Sequence, residues 1–177
     1  MIKFHSCFGN GAVIQRGSAF VAKGSSSGET VVTLSGCNYK KTVAAKVKNG
    51  MFYAEFSPVN DTATPFLLSA ECGGEKCVSS VRFGDVFLTV GQSNMSYSLS
   101  ATENYERWLK MAKKSETAFL SVGEKPFGST EEVTRSYDEL SDFPVKTVWK
   151  EGGDEGIADI SAISVQLAVY LWQRTGV

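Results

Sequence analysis

The sequence predicts an α+β chain in two parts: a small antiparallel β-sandwich over residues 1–82, then, over 83–177, the first and incomplete half of an α/β layer with parallel strands. Three observations predict it. Up to Arg82 the apolar residues fall in short runs parted by turn signals, without helical periodicity. After Gly84 the pattern changes to strand, helix, strand, helix, which is the grammar of a parallel layer. A chain of 177 residues suffices for one ordinary domain or two small ones.

Composition narrows the function. With 42% hydrophobic and 21% charged residues the chain has a soluble globular composition. A formal net charge of −1, with no basic stripe, removes the main electrostatic reason to expect nucleic acid. The apolar runs fall short of the roughly 20 residues a membrane span needs. The opening "MIKFHSCFGNG" lacks the apolar middle of a signal peptide, so the chain reads as cytoplasmic. Cys7, Cys37, Cys72 and Cys77 follow no metal spacing, and no metal or cofactor is expected. "CGGEKC" suits a hairpin in which Cys72 and Cys77 face each other across a Gly-Gly turn, close enough for a disulfide in an oxidising compartment. Without a secretion signal, free thiols in a β-rich core are the expectation.

In the first half, strands are expected at "FVAKG", "ETVVTLSG", "KKTVAAKVKNGMFYAEF" and "PFLLSAECGGEKCVSSVRF". Asn49-Gly50 fits a type I′ hairpin turn, because both residues tolerate positive φ. "GSSSG", at Gly24–Gly28, reads as a hairpin tip between two strands.

In the second half, "DVFLTV" is a continuous apolar run, as in a strand covered on both faces. "SATENYERWLKMAKK" predicts a helix with Ser100 and Glu103 as a capping box and Tyr105, Trp108, Leu109 and Ala112 on one face. Lys110, Lys113 and Lys114 favour its C-terminal pole. "TAFLSV" reads as a second strand, and Gly123 to Asp159 mainly as loop. "ISAISVQLAVYLWQRTG" predicts a helix with Ile160, Ile163, Leu167, Tyr170 and Leu171 along one face, stopped at Gly176. A helix there should lead into a third strand, so the layer reads as cut rather than finished.

The chemistry centres on "FLTVGQSNMSYSLS". A buried strand ending in Gly91 and a polar turn is a rigid place for a catalytic group, with the turn's amides facing the space beyond the strand. Ser93 is the candidate nucleophile for an ester carbonyl. Backbone amides of the turn would hold the oxyanion, at roughly 3–4 kcal/mol per good donor. From the residues alone a second reading stands beside it, Ser93 or Asn94 capping the next helix, and that is the commoner use of such a turn.

"GDVFLTVGQSNMSYSL" closely resembles the nucleophile block of the sialate O-acetylesterase family, carbohydrate esterases of the SGNH hydrolase superfamily. "GAVIQRG" resembles that family's N-terminal signature, and "ISAISVQLAVYLWQRTGV" its helix after the nucleophile. The resemblance implies a β-sandwich joined to an SGNH-type α/β domain (flavodoxin-like, parallel sheet), of which this chain holds the N-terminal portion. It implies Ser93 as nucleophile, its own N–H as one oxyanion donor, Gly91 and Gln92 shaping the turn, and Asn94 and Met95 anchoring it. The implied substrate is an acetylated sugar, on sialic acid or a plant polysaccharide.

A serine needs a base, and the family supplies it as a histidine near an aspartate on a late loop. His5 is the only histidine here and stands before the sandwich, so it reads as packing or surface. Asp138, Glu139, Asp154 and Glu155 read as loop-solvating charges. Trp108 and Trp172 read as core, and Trp149 as the tryptophan best placed for ligand contact. Three functions are therefore carried forward: an esterase portion inactive alone, a non-enzymatic carbohydrate-binding or interaction module, and a chain completed by a second one that brings the missing catalytic half.

Overall fold

The computed structural model describes residues 1–36, 38–62, 64–122 and 148–177. In chain order the strands are β1 (Lys3–Phe4), β2 (Ala12–Gln15), β3 (Phe20–Ser25), β4 (Val31–Gly36), β5 (Tyr39–Ala44), β6 (Lys46–Lys48), β7 (Met51–Phe56), β8 (Phe66–Cys72) and β9 (Glu75–Gly84). They are followed by α1 (Tyr105–Ala112), β10 (Ala118–Leu120), β11 (Trp149–Glu151) and α2 (Ala162–Thr175).

The first nine strands make two sheets, ordered β1-β3-β7-β6 and β2-β9-β8-β4-β5. All pairs are antiparallel except β2 with β9, which run parallel. Alternation builds the core: Phe52, Ala54 and Phe56 of β7 point inward against Val32 and Leu34 of β4 and Phe66, Leu68 and Ala70 of β8. Aromatic pairs brace the core: Phe20 stacks on Phe56 within one sheet and Phe66 meets Phe83 edge-on within the other, each at 5.1 Å between centroids, and Phe20 meets Phe83 across the layers at 5.7 Å. Stacked and edge-on ring pairs both add to the area term.

Turn chemistry follows the residues. Asn49 and Gly50 take φ of 52° and 74° between β6 and β7, and Gly73 and Gly74 take 56° and 85° between β8 and β9. "GSSSG" departs from the hairpin reading. It leads from β3 in one sheet to β4 in the other, a crossing between layers. Ser26 and Thr30 line that crossing, buried and bonded hydroxyl to hydroxyl. Gly24 is needed for packing, since a Cβ there would lie 2.1 Å from the Lys3 carbonyl oxygen.

The "CGGEKC" hairpin forms, but its cysteines are not opposite one another. Cys72 pairs with Glu75 and Cys77 with Ala70, because a two-residue turn sets that register, and both thiols are free. The Ser26 hydroxyl bond lowers the Cys72 pKa, against an opposing desolvation and with lesser help from Ser27 and Thr30, whereas burial raises that of Cys77.

The second half forms a smaller core of Leu99, Ala112, Phe119, Ile157, Ile160, Ala162, Val165 and Val169, with Trp108 and Leu109 packed against it. Its topology departs from the parallel layer. Asp85–Val90 takes no strand pairing, and β10 pairs antiparallel with β11, Phe119 opposite Lys150. A strand apolar on both faces needs neighbours to cover it, and the described residues bring none. Val86, Phe87, Leu88 and Val90 stay exposed.

Both helices exist, with shifted details. Ser100 lies in a 3-10 turn, Leu99–Ala101, so the capping box does not form; α1 starts after Asn104, which takes a left-handed φ of 61°. In α2 the buried positions are Ala162, Val165 and Val169, none of them in the predicted stripe, of which Ile160, just ahead of the helix, is buried. Ile163, Leu167 and Tyr170 face outward. Gly176 stops the helix in the left-handed region, its N–H bonded to the Trp172 carbonyl.

Trp149 anchors β11 to the sandwich, packing on its core and donating Nε1–H to the Cys7 carbonyl at 3.2 Å. It is a structural bracket, not a free ligand platform. Gly152 holds the other side, because a Cβ there would lie 2.0 Å from the Ala112 carbonyl.

Two outcomes are expected. Phe66→Ala should cost about 3–5 kcal/mol in urea unfolding, the usual range for emptying a buried phenylalanine site; a change below the error of the extrapolation would contradict the core as described. At neutral pH, iodoacetamide should alkylate Cys72 well before Cys77, since a lowered pKa leaves more thiolate. Peptide mapping that finds Cys77 modified first would refute the assigned hydroxyl contacts.

Candidate functional site

The segment that leaves β9 is held at its root by the turn after β2. Arg16 grips Asp85 with two parallel bonds, Nε to Oδ1 at 2.9 Å and Nη2 to Oδ2 at 3.0 Å. The Arg16 amide also donates to the Gly84 carbonyl, and Gln15 Oε1 accepts from the Val86 amide, each at 2.9 Å. A fork-to-carboxylate pair fixes direction as well as distance. "GAVIQRG" and "GDVF" are thus one physical unit, Gln15 and Arg16 setting where the next ten residues begin.

The far end is fixed on the start of α2. Thr89 and Ser164 share a hydroxyl bond of 2.7 Å. The Ser161 hydroxyl points at Met95 Sδ at 3.8 Å. The Tyr97 carbonyl accepts from the Ala162 amide at 2.9 Å, and Ser98 bridges to Ser161. Met95 is therefore the anchor of the turn.

Between these fixings lies a 3-10 turn, Ser93–Met95, entered from Gln92 in an unusual conformation with φ −100° and ψ −145°. The Met95 amide donates to the Gln92 carbonyl at 2.8 Å and the Ser96 amide to the Ser93 carbonyl at 3.1 Å. The amides of Ser93 and Asn94 have no backbone acceptor among the described residues. Gly91 is required by contact: a Cβ would lie 2.6 Å from Met95 Cγ, so any side chain would push the anchor away. Gln92, Ser93 and Asn94 are all exposed. Neither Ser93 nor Asn94 caps a following helix through its side chain.

The turn thus leaves the Ser93 hydroxyl exposed and its amide without a backbone acceptor among the described residues. Among the described residues no side chain bonds that hydroxyl. His5 is buried in the sandwich, where its Nδ1 accepts the Cys7 amide at 3.2 Å and caps a short 3-10 turn. Asp154 closes a turn by accepting the Glu151 amide at 2.7 Å. Glu155 is exposed, and Asp138 and Glu139 lie outside the described residues. Sequence reasoning grouped Gly91, Gln92, Ser93 and Asn94 but missed the clamp at Gln15 and Arg16. The available signal was a charge pair, an arginine ending one strand and an aspartate ending another.

Breaking the clamp should loosen the turn without unfolding the sandwich. Arg16→Met removes the charge-assisted pair, about 1–2 kcal/mol for a partly exposed site. Hydrogen exchange should speed up at Val86 and across Gly91–Ser96, while the protection of β7 and β8 stays. Unchanged exchange in the turn would show that the pair does not position it.

No family model matches the sequence, and no curated protein matches it. Among solved structures, the chain is similar over its whole length to the crystal structure of a carbohydrate acetylesterase from Xanthomonas citri, with a TM-score of 0.80 at 21% sequence identity. The chain spans 38% of the length of that structure. At this identity the likeness establishes a shared fold, that of one portion of a carbohydrate esterase.

Proposed function

We propose that the chain is the N-terminal portion of a carbohydrate O-acetylesterase related to the sialate O-acetylesterases, with Ser93 as its nucleophile. The observation that carries the reading is the exposed Ser93 turn, pinned by Arg16 on one side and by the start of α2 on the other, within a fold shared with part of a carbohydrate acetylesterase. Enzymes place nucleophiles on such rigid junctions because attack requires a fixed approach to the carbonyl carbon.

In this reading residues 1–82 are the sandwich and 83–177 begin an SGNH-type layer. Asp85–Val90 becomes a central strand when further chain pairs with it, which would cover Phe87 and Leu88. The same docking would cover the outer stripe of α2. The Asp-His pair comes from outside these residues, either along the same polypeptide or from a second chain.

The reaction is acyl transfer. With a base in reach, the Ser93 hydroxyl loses its proton as Oγ bonds to the acetyl carbon, and the Ser93 N–H donates to the developing oxyanion. Collapse breaks the bond from the acetyl carbon to the sugar oxygen, which takes the proton back from the base and leaves as a hydroxyl. Water then attacks the acetyl-serine and releases acetate. No metal enters the scheme.

The 177-residue chain alone should hydrolyse p-nitrophenyl acetate at background rate. In a protein completed by the base, Ser93→Ala should lower kcat about 10⁴-fold or more, with KM little changed. Undiminished turnover by the completed Ser93→Ala protein would rule the mechanism out. Turnover by the 177 residues alone that vanishes in Ser93→Ala would keep the nucleophile and place the base within this chain.

A further inference from the structure

We propose that the outer face of the first sheet, β1-β3-β7-β6, is a docking surface for an acidic polysaccharide, a polyuronide whose sugar rings stack on Tyr53 while their carboxylates meet the lysines around it. Strand register places these groups. With Phe52, Ala54 and Phe56 buried in the core, alternation turns Met51, Tyr53 and Glu55 of β7 outward. Tyr53 stands between Lys23 of β3 and Lys46 of β6, and Met51 between Ser25 and Lys48. Neighbouring strands lie about 4.8 Å apart, so the Lys23 and Lys46 backbones are about 10 Å apart with the tyrosine between them, and Lys48 follows about 7 Å along β6. Lys23 is distant from Lys46 and Lys48 in the sequence and meets them only through the sheet.

Charge on this face is one-sided. Lys23 and Lys48 form no ion pair among the described residues. Lys46 reaches Glu55 at 3.3 Å, through side chains that are 84% and 71% exposed. A pair so open to water is weak and yields to a competing anion. The outer face of the other sheet differs: there Lys76 pairs with Glu71 at 2.7 Å, and Arg82 with Glu151 at 3.1 Å. Lysines on an edge strand also discourage pairing between copies, which accounts for Lys46 and Lys48 on β6. It does not account for Lys23 and Tyr53, which stand on the two interior strands.

The chemistry selects the ligand. A uronic acid residue has an apolar C–H face for the half-buried Tyr53 ring and one carboxylate for a lysine, whose point charge accepts many directions of approach. An open sheet face suits an extended chain. A duplex-binding protein makes on the order of 6–10 phosphate contacts, more than these three lysines supply. The choice of a sugar acid over an acidic peptide rests on the esterase reading, whereas the basic face itself does not.

The test is a titration of the ¹⁵N-labelled chain with hexagalacturonate, with xylohexaose as the neutral control and hexaglutamate as the peptide control. Hexagalacturonate should give saturable shifts at the amides of Lys23, Lys46, Lys48, Met51 and Tyr53, and its binding should weaken between about 50 and 200 mM NaCl. Lys23→Gln should weaken binding about two- to fivefold, and Tyr53→Ala about fivefold. Glu55→Gln releases Lys46 and should strengthen binding, a gain that misfolding would not produce. Ser93→Ala should bind as the parent does, which keeps this result apart from the acylation of Ser93. Absence of saturable shifts, an equal response to xylohexaose, or weaker binding by Glu55→Gln would each overturn the proposal. So would tighter binding to hexaglutamate, to a short DNA duplex or to phosphatidylserine vesicles, or shifts centred on Gly91–Met95.

Discussion

The bidentate contact between Arg16 and Asp85 is the joint on which the candidate site depends. Everything after Gly84 leaves the sandwich through that point, and the segment beyond it is apolar, unpaired and exposed. An unpaired segment has no ladder to fix its direction. The guanidinium fork and the Gln15 side chain replace the missing ladder at its root, while Thr89, Met95 and Tyr97 fix its far end to α2. A serine three residues beyond Val90 is thereby held without being buried.

The two cores share the load unequally. The sandwich is dense, with seven phenylalanines buried in its core or packed against it, and its hairpins close with the residues that positive φ demands. The second core is small and one-sided. Trp149 ties it to the sandwich, and within it Gly152 packs so closely on α1 that a methyl group would collide with the Ala112 carbonyl. Its outer surface offers Ile163, Leu167 and Tyr170 beside the exposed 86–90 run. A run with apolar residues on both faces is thus left without covering neighbours among the described residues.

Much of the sandwich was legible in the sequence because its signals are local. Asn49-Gly50 and Gly73-Gly74 specify their turns alone, and alternation in β7 and β8 specifies which side chains face inward. Errors arose where a long-range partner decides. "GSSSG" joins two sheets rather than two paired strands, and the Cys72–Cys77 register follows from the ladder and not from spacing in the chain. The buried face of α2 differs from the predicted stripe because Leu99, distant in sequence, shares its core. The turn at Gly91–Met95 was legible as a unit, for its glycine and its serine are consecutive. Its support by Arg16 was not, since the two halves of that contact stand 69 residues apart.

The central claim is that Ser93 becomes acylated. It is tested most directly by rapid quench of a base-completed protein turning over an acetylated xylo-oligosaccharide, followed by peptide mass spectrometry. The account predicts a transient acetyl group on the peptide bearing Ser93, absent in Ser93→Ala. Acetate release with no acetyl-protein at any time, or an acetyl group on another residue, would contradict it.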